Sequence, residues 1–176
     1  MVEFKKFPKI YRDNPFNVTI TEKIDGTNAC VVIENDKLVG IQSRNKFITP
    51  DEDNYGFASW ACDNEDQLIG LGDGYHYGEW AGEGIQRNPH RLEGKHFFLF
   101  NTYRWTADDV RPECCAVVPI LYRGLLTTYI VPQLLVELQE NAEEDETPEG
   151  VVVYYHSFDK YTKHTIKNPD GKWCKD

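Results

Sequence analysis

The chain has 176 residues, of which 40% are hydrophobic and 13% aromatic, and its formal net charge is −10. This length and composition are typical of one globular domain and exclude a disordered chain. The acidic balance argues against a protein that coats nucleic acid without specificity. The stretch 137–149, however, holds seven acids and no base, so a local basic groove elsewhere is compatible with the net charge.

The sequence also bears on location. It contains no run of 18 apolar residues, so no membrane span is expected. The first residues lack the apolar core and small-residue cleavage site of a secretory signal. The five cysteines are odd in number and none are spaced as C-x-x-C, which favours neither a disulfide framework nor a zinc site. We therefore expect a cytosolic protein.

Apolar and β-branched patterns predict the secondary structure. In chain order, the predicted elements are strands at 18–23, 29–34 and 38–43, a helix at 55–69, strands at 75–80, 95–105 and 115–121, a helix at 132–141, and strands at 149–155 and 161–167. Pro119 predicts that the strand around it is short or at a sheet edge. The set predicts an α+β domain of antiparallel sheets with packed helices.

The stretch EKIDGTN, residues 22–28, places a lysine, two carboxylates and a glycine where the first strand ends. A protonated lysine is a poor nucleophile, and it becomes reactive where other cations or burial favour the neutral amine. Gly26 permits a tight reversal that would leave Lys23 facing a cleft. K-x-D-G by itself is a weak signal, and the ordinary alternative is an exposed lysine beside a turn.

Further motifs follow in a fixed order. They are SRN at 43–45, YGEWAGEGIQ at 77–86, FFLFN at 97–101, PEGVVVYY at 148–155, and lysines at 160, 163 and 167. Together with residues 22–28, they resemble the covalent nucleotidyltransferases, and most closely the RNA ligases of the phage type, whose first motif is E-K-x-D/H-G-T-N. The resemblance covers residues 8–168.

The resemblance implies an ATP-grasp-like nucleotidyltransferase (adenylation) domain. It implies an ATP-dependent RNA ligase that joins 5′-phosphate and 3′-hydroxyl RNA ends through a lysyl-AMP intermediate, with ATP and Mg²⁺ or Mn²⁺ as cofactors. If a phage encodes the protein, the expected location is the host cytoplasm. The alternatives are a DNA ligase, a capping-type guanylyltransferase that uses GTP, and a catalytically silent module that binds nucleotides or RNA ends.

Site roles follow from the same resemblance, position by position. Lys23 matches the lysine that attacks the α-phosphate, Asp25 completes its motif, and Lys163 matches the lysine that neutralises the α-phosphate. Glu149 matches the acid associated with the metal and the ribose. The positions expected to bind ATP are Glu22, Asn28, Arg44, Glu79, Phe100, Glu149 and Lys167.

Several of these positions have a more specific expected role. Asn28 matches a residue that helps the sealing steps, and Arg44 one that contacts the nucleotide and the phosphate to be joined. Glu79 matches the acid that binds the ribose. Phe100 is expected to stack on adenine, with Phe98 as the alternative because it lies on the same strand face. Each position also has an ordinary structural explanation, as a core aromatic or a surface charge.

The sequence departs from the family in two respects. The last motif is commonly K-x-K, whereas here Lys163, Thr165 and Lys167 share one strand face, so the second lysine is displaced or replaced. The chain also ends soon after, so we expect a single domain at 1–176 without a C-terminal OB domain. RNA grip is then expected from the basic stretches 5–12 and 86–91, or from a partner protein or dimer.

Overall fold

The computed structural model describes residues 16–106 and 111–166, which contain two β-sheets. The first sheet has the order β7-β1-β8-β9, and the second has the order β3-β2-β4-β5-β6. In chain order the strands are β1 (Asn17–Lys23), β2 (Thr27–Ile33), β3 (Leu38–Ser43), β4 (Gly74–Gly82), β5 (Lys95–Leu99), β6 (Cys115–Val117), β7 (Ile120–Leu125), β8 (Gly150–Tyr155) and β9 (Lys160–Thr165). All neighbouring strands are antiparallel except β5 and β6, which are parallel. The predicted α+β class is confirmed.

Helices cover one face of each sheet. The helices are α1 (Phe57–Asp63), α2 (Glu65–Leu68) and α3 (Ile130–Glu140), and a 3-10 turn covers Ile69–Leu71. The larger core lies between the second sheet and α1, around Phe57, Trp80 and Phe97. The smaller core joins Leu134 of α3 to the first sheet. Among the described helices, none has the length and apolar character that crossing a membrane requires.

The predicted helix at 55–69 is shorter than expected and interrupted. Tyr55 and Gly56 have φ values of 54° and 82°, so the helical conformation starts only after them. Asn64 ends α1, because its side-chain amide donates a hydrogen bond to the carbonyl of Trp60 at 2.8 Å. A side chain that bonds the preceding turn competes with helix continuation, and periodicity alone does not reveal this.

The predicted strand at 115–121 is in fact two strands in two different sheets. β6 pairs with β5, whereas β7 pairs with β1. Pro119 separates them and its carbonyl accepts a hydrogen bond from the amide of Glu22 at 2.9 Å. Proline has no N–H for a ladder, so the chain changes sheets at this position.

The predicted strand at 95–105 was too long, because β5 ends at Leu99. Beyond it, the Asn101 side chain accepts a hydrogen bond from the amide of Arg104 at 3.1 Å. Such a bond stabilises a turn instead of an extended chain. Phe100 consequently lies just past the strand end.

The link between β1 and β2 joins the two sheets. These strands do not pair with each other: β1 lies between β7 and β8, and β2 lies between β3 and β4. Ile24 of the link packs with Ala81 and Val118 in a small buried cluster. The motif at residues 22–28 therefore lies where strand ends of the two sheets meet.

Candidate active site

Lys23 is the last residue of β1, and its side chain contacts an acid from the opposite end of the sequence. Its Nζ lies 2.6 Å from Oε1 of Glu149. Lys23 pairs in register with Gly150 on β8, which brings residue 149 to the same sheet edge. The Glu149 side chain is 6% exposed and that of Lys23 is 22% exposed, so the lysine side chain keeps partial access to solvent.

The backbone at Gly26 lies so close to β4 that a side chain would not fit. A Cβ at this position would lie 2.5 Å from the carbonyl oxygen of Trp80 and 2.9 Å from Cγ of Glu79. Its φ lies outside the left-handed range, so the reversal expected from the sequence is not the reason for the glycine. Instead, the absence of a side chain allows the motif to pack closely against β4.

Glu79 lies on β4, and the adjacent strands place it between two other predicted site residues. The register aligns Asn28 with Glu79 and Glu79 with Phe98. The Asn28 side-chain amide donates a hydrogen bond to Oε2 of Glu79 at 3.3 Å. Burial raises the pKa of Glu79 to about 7. The positive charge of Lys23 opposes this shift.

Several buried carboxylates lie near Lys23. The charges of Glu149 and Asp25 add to the pKa shift of Glu79, so these acids lie within electrostatic reach of one another. Burial also raises the pKa of Glu149, and its hydrogen bond with Lys23 opposes that shift. The site thus surrounds the Lys23 amine with carboxylates, whereas the sequence analysis expected a reactive lysine to lie among cations or in a buried setting.

A cavity of about 210 Å³ lies next to this cluster. Its lining includes three of the predicted ATP-binding residues, Asn28, Arg44 and Phe100, together with Tyr77. Phe100 is 40% exposed, and its ring is available for stacking. Phe98 packs instead against the buried Ile24 cluster. The geometry therefore favours Phe100 over the alternative ring.

The last motif lies on β9, where Lys163 is exposed. It pairs in register with Val152 on β8, and Thr165 pairs with Gly150, which itself pairs with Lys23. Because side chains alternate along strands, Lys163 and Thr165 share the sheet face of Lys23. Lys167 lies outside the described residues.

Two residues that the sequence analysis did not assign to the site contact the carboxylates of the first motif. His90 Nε2 lies 2.5 Å from Oε1 of Glu22, and Arg87 Nε donates to Oδ2 of Asp25 at 3.1 Å. Both belong to the stretch 86–91, which the sequence suggested as an RNA-gripping patch. Its basic composition was the only available signal, and it did not reveal the acids that these side chains face.

The two-sheet fold places a lysine–glutamate pair at its strand ends and a cavity nearby. The chain belongs to the RNA ligase family, whose model matches residues 16–168. No curated protein matches the chain in sequence.

Solved structures of Naegleria gruberi RNA ligase share the fold. A lysine-to-alanine variant with ATP and Mn matches with a TM-score of 0.66 and 21% identity, over 87% of this chain and 50% of that chain. A lysine-to-methionine variant with AMP and Mn matches with a TM-score of 0.65 and 21% identity, over 86% of this chain and 50% of that chain. This chain thus spans about half the length of the structures it matches.

Proposed function

We propose that this domain catalyses ATP-dependent RNA ligation and joins a 5′-phosphate to a 3′-hydroxyl through a lysyl-AMP intermediate. The main supporting observation is the 2.6 Å contact between Lys23 and Glu149 among buried carboxylates from separate parts of the chain. Membership of the RNA ligase family favours RNA ends as substrates. The Naegleria structures with ATP and Mn favour ATP and a divalent metal.

In the first step, Nζ of Lys23 attacks the α-phosphorus of ATP. A P–N bond forms, the bond from the α-phosphorus to its bridging oxygen breaks, and pyrophosphate leaves with that electron pair while the amine releases its proton. The 5′-phosphate of RNA then displaces lysine from AMP. Finally, the 3′-hydroxyl attacks the activated phosphate and AMP leaves. Such displacements need alignment and positive charge against the equatorial oxygens.

The chain's own residues can hold the nucleotide for this chemistry. Phe100 offers a ring for adenine at the 210 Å³ cavity. Glu79, on the adjoining strand, offers a carboxylate to the ribose. Arg44 borders the same cavity, and Lys163 lies on the face of Lys23, so both can offset phosphate charge.

The donor set fits a divalent metal bound largely through water and phosphate. Within the described ranges, no three His, Cys, Asp or Glu side chains converge as a ready-made metal site. Mg²⁺ commonly uses one or two protein carboxylates and completes its shell with water and phosphate oxygens. Glu149 is our candidate ligand. When bound, the ion would place positive charge beside the phosphate being attacked.

The residues that bind the RNA strand are less clearly indicated than those that bind the nucleotide. Of the two basic stretches considered, 5–12 lies outside the described residues, and Arg87 and His90 in the second face acids of the first motif. We propose that a partner protein or a second copy of the chain supplies this grip. Ligation that rises with the square of protein concentration, or that requires an added partner, would support this assignment.

Incubation with α-labelled ATP and Mg²⁺ or Mn²⁺ tests the first step. We expect an acid-stable protein label that pyrophosphate removes, and no label in Lys23→Ala. Lys37→Ala, which changes an exposed lysine in a turn, is the matched control and should label normally. A label from GTP alone would indicate a capping enzyme, and no label from either nucleotide would indicate a silent module. Parallel assays with 5′-phosphorylated RNA and DNA strands distinguish an RNA ligase from a DNA ligase.

A further inference from the structure

The loop at 83–94, between β4 and β5, is firmly anchored. Ile85 is fully buried in the larger core, and Pro89 is also buried. The Asn88 side chain bridges the loop, because it accepts a hydrogen bond from the amide of Leu92 and donates one to the carbonyl of the same residue, both at 3.0 Å. The loop therefore has a defined conformation of its own.

Its backbone is also strained. Gln86, Asn88 and Arg91 have φ values of 49°, 47° and 47°, in the left-handed region that non-glycine residues seldom adopt. Such conformations persist where surrounding contacts over-determine them, and they cluster at functional sites.

Two of these contacts reach the strand end that bears Lys23. His90 faces Glu22, directly before Lys23, and Arg87 faces Asp25, two positions after it. Both carboxylates are buried, with residue exposures of 7% for Glu22 and 5% for Asp25. The hydrogen bond with Glu22 raises the pKa of His90, and burial opposes this. A buried carboxylate without a partner is costly, so each pair constrains the position of its acid.

A third contact reaches the segment that leads to Glu149. Arg91 donates a hydrogen bond to the carbonyl of Glu144 at 2.8 Å, and its Nε lies 3.8 Å from Oε1 of Glu146. The same loop therefore contacts residues next to Lys23 in the first motif and also residues that precede Glu149 in the chain.

We propose that the 83–94 loop is a clasp that positions Lys23 and Glu149 for adenylylation, with His90 and Arg87 as positioning residues that act through Glu22 and Asp25. This inference rests on the proposed function. It replaces the RNA-gripping role that the basic stretch suggested, because these two cations face carboxylates of the chain itself. A displacement of about 1 Å at a reacting group can cost on the order of a hundredfold in rate, so fixing both ends of the pair has catalytic value.

Single-turnover adenylylation tests the clasp. His90→Ala should lower the rate constant at saturating ATP by about tenfold or more and change the Kd for ATP by less than about twofold. His90→Gln keeps an N–H donor and should restore part of the rate, and Arg87→Lys should likewise retain more activity than Arg87→Ala. His164→Ala, at an exposed position on β9, is the matched control and should behave as the wild type.

A double-mutant cycle tests whether His90 acts through Glu22. In a Glu22→Gln background, His90→Ala should add little to the loss, because the pair is already broken. Additive losses would overturn the proposed route. A loss of RNA binding with unchanged adenylylation would overturn the clasp and restore the RNA-gripping role.

Hydrogen exchange of the peptide 18–28 provides a readout that does not depend on activity. Exchange should be faster in His90→Ala than in the wild type and in His164→Ala. If the wild type forms no adduct but exchange responds, the proposed function fails while the structural role of the loop stands. If every variant forms the adduct at the wild-type rate and exchange is unchanged, the clasp fails and the proposed function stands.

Discussion

Asn28 donates a hydrogen bond to Glu79 at 3.3 Å, which connects the first motif on β2 to the acid on β4. The carboxylate of Glu79 is buried, and burial raises its pKa to about 7. The ionised form of a buried acid is electrostatically unfavourable in the folded state. A bound nucleotide whose ribose hydroxyls donate to this carboxylate would offset part of that cost.

This cost predicts a pH dependence of stability. Between its ordinary value of 4.5 and about 7, folded Glu79 retains a proton that the unfolded chain has lost. The free energy of unfolding should therefore fall as pH rises through this range, by up to about 3 kcal/mol. Glu79→Gln should show a smaller fall in urea unfolding between pH 5 and pH 8. Glu34→Gln, at an exposed position, is the control, and equal falls in all three proteins would contradict the prediction.

The close approach at Gly26 makes a second prediction. In Gly26→Ala, the new methyl would lie 2.5 Å from the carbonyl oxygen of Trp80, so the strand end or β4 must shift. We expect a loss of about 1–3 kcal/mol in thermal or urea unfolding and slower adenylylation. Gly70→Ala is the matched control, since its Cβ would meet nothing closer than 3.7 Å, at Pro112. A wild-type adenylylation rate in Gly26→Ala would show that adenylylation does not depend on the close contact between residue 26 and β4.

The elements that were predicted well depend on local patterns. β3 has the predicted bounds and β1 begins one residue early, because alternating apolar and β-branched residues determine both locally. Lys23 and Glu149 could each be named as a site residue because the motifs of the resembling family contain them. Their 2.6 Å contact follows from the pairing of β1 with β8, which no local pattern reveals.

The features that were missed depend on long-range placement. The division of 115–121 between two sheets depends on which strands neighbour β1 and β5, and Pro119 indicated only a short or edge strand. The contacts of His90 and Arg87 depend on Ile85 packing into the core, which turns the loop toward the first motif. Basic composition alone could equally have indicated a surface that binds RNA.

The two neighbouring phenylalanines should respond differently to substitution. Phe100 borders the cavity, so Phe100→Leu should weaken ATP binding by roughly 1 kcal/mol or more, about fivefold or greater in Kd. Phe98 packs in the Ile24 cluster, so Phe98→Leu should lower stability and leave the Kd for ATP nearly unchanged. Calorimetric titration with ATP, alongside thermal unfolding, measures both effects. The reverse pattern would assign adenine stacking to Phe98.

The two lysines of β9 provide the sharpest comparison, because they lie on opposite faces of one strand. Lys163 shares the face of Lys23, whereas Lys160 is three positions away and points to the other face. Lys163→Met should slow adenylylation by about tenfold or more, since it removes a positive charge that opposes the developing charge on the α-phosphate. Lys160→Met removes an equal charge from the same exposed strand and should leave the rate unchanged. Equal losses in both variants would indicate a general effect of net charge. No loss in either would show that a different cation neutralises the phosphate.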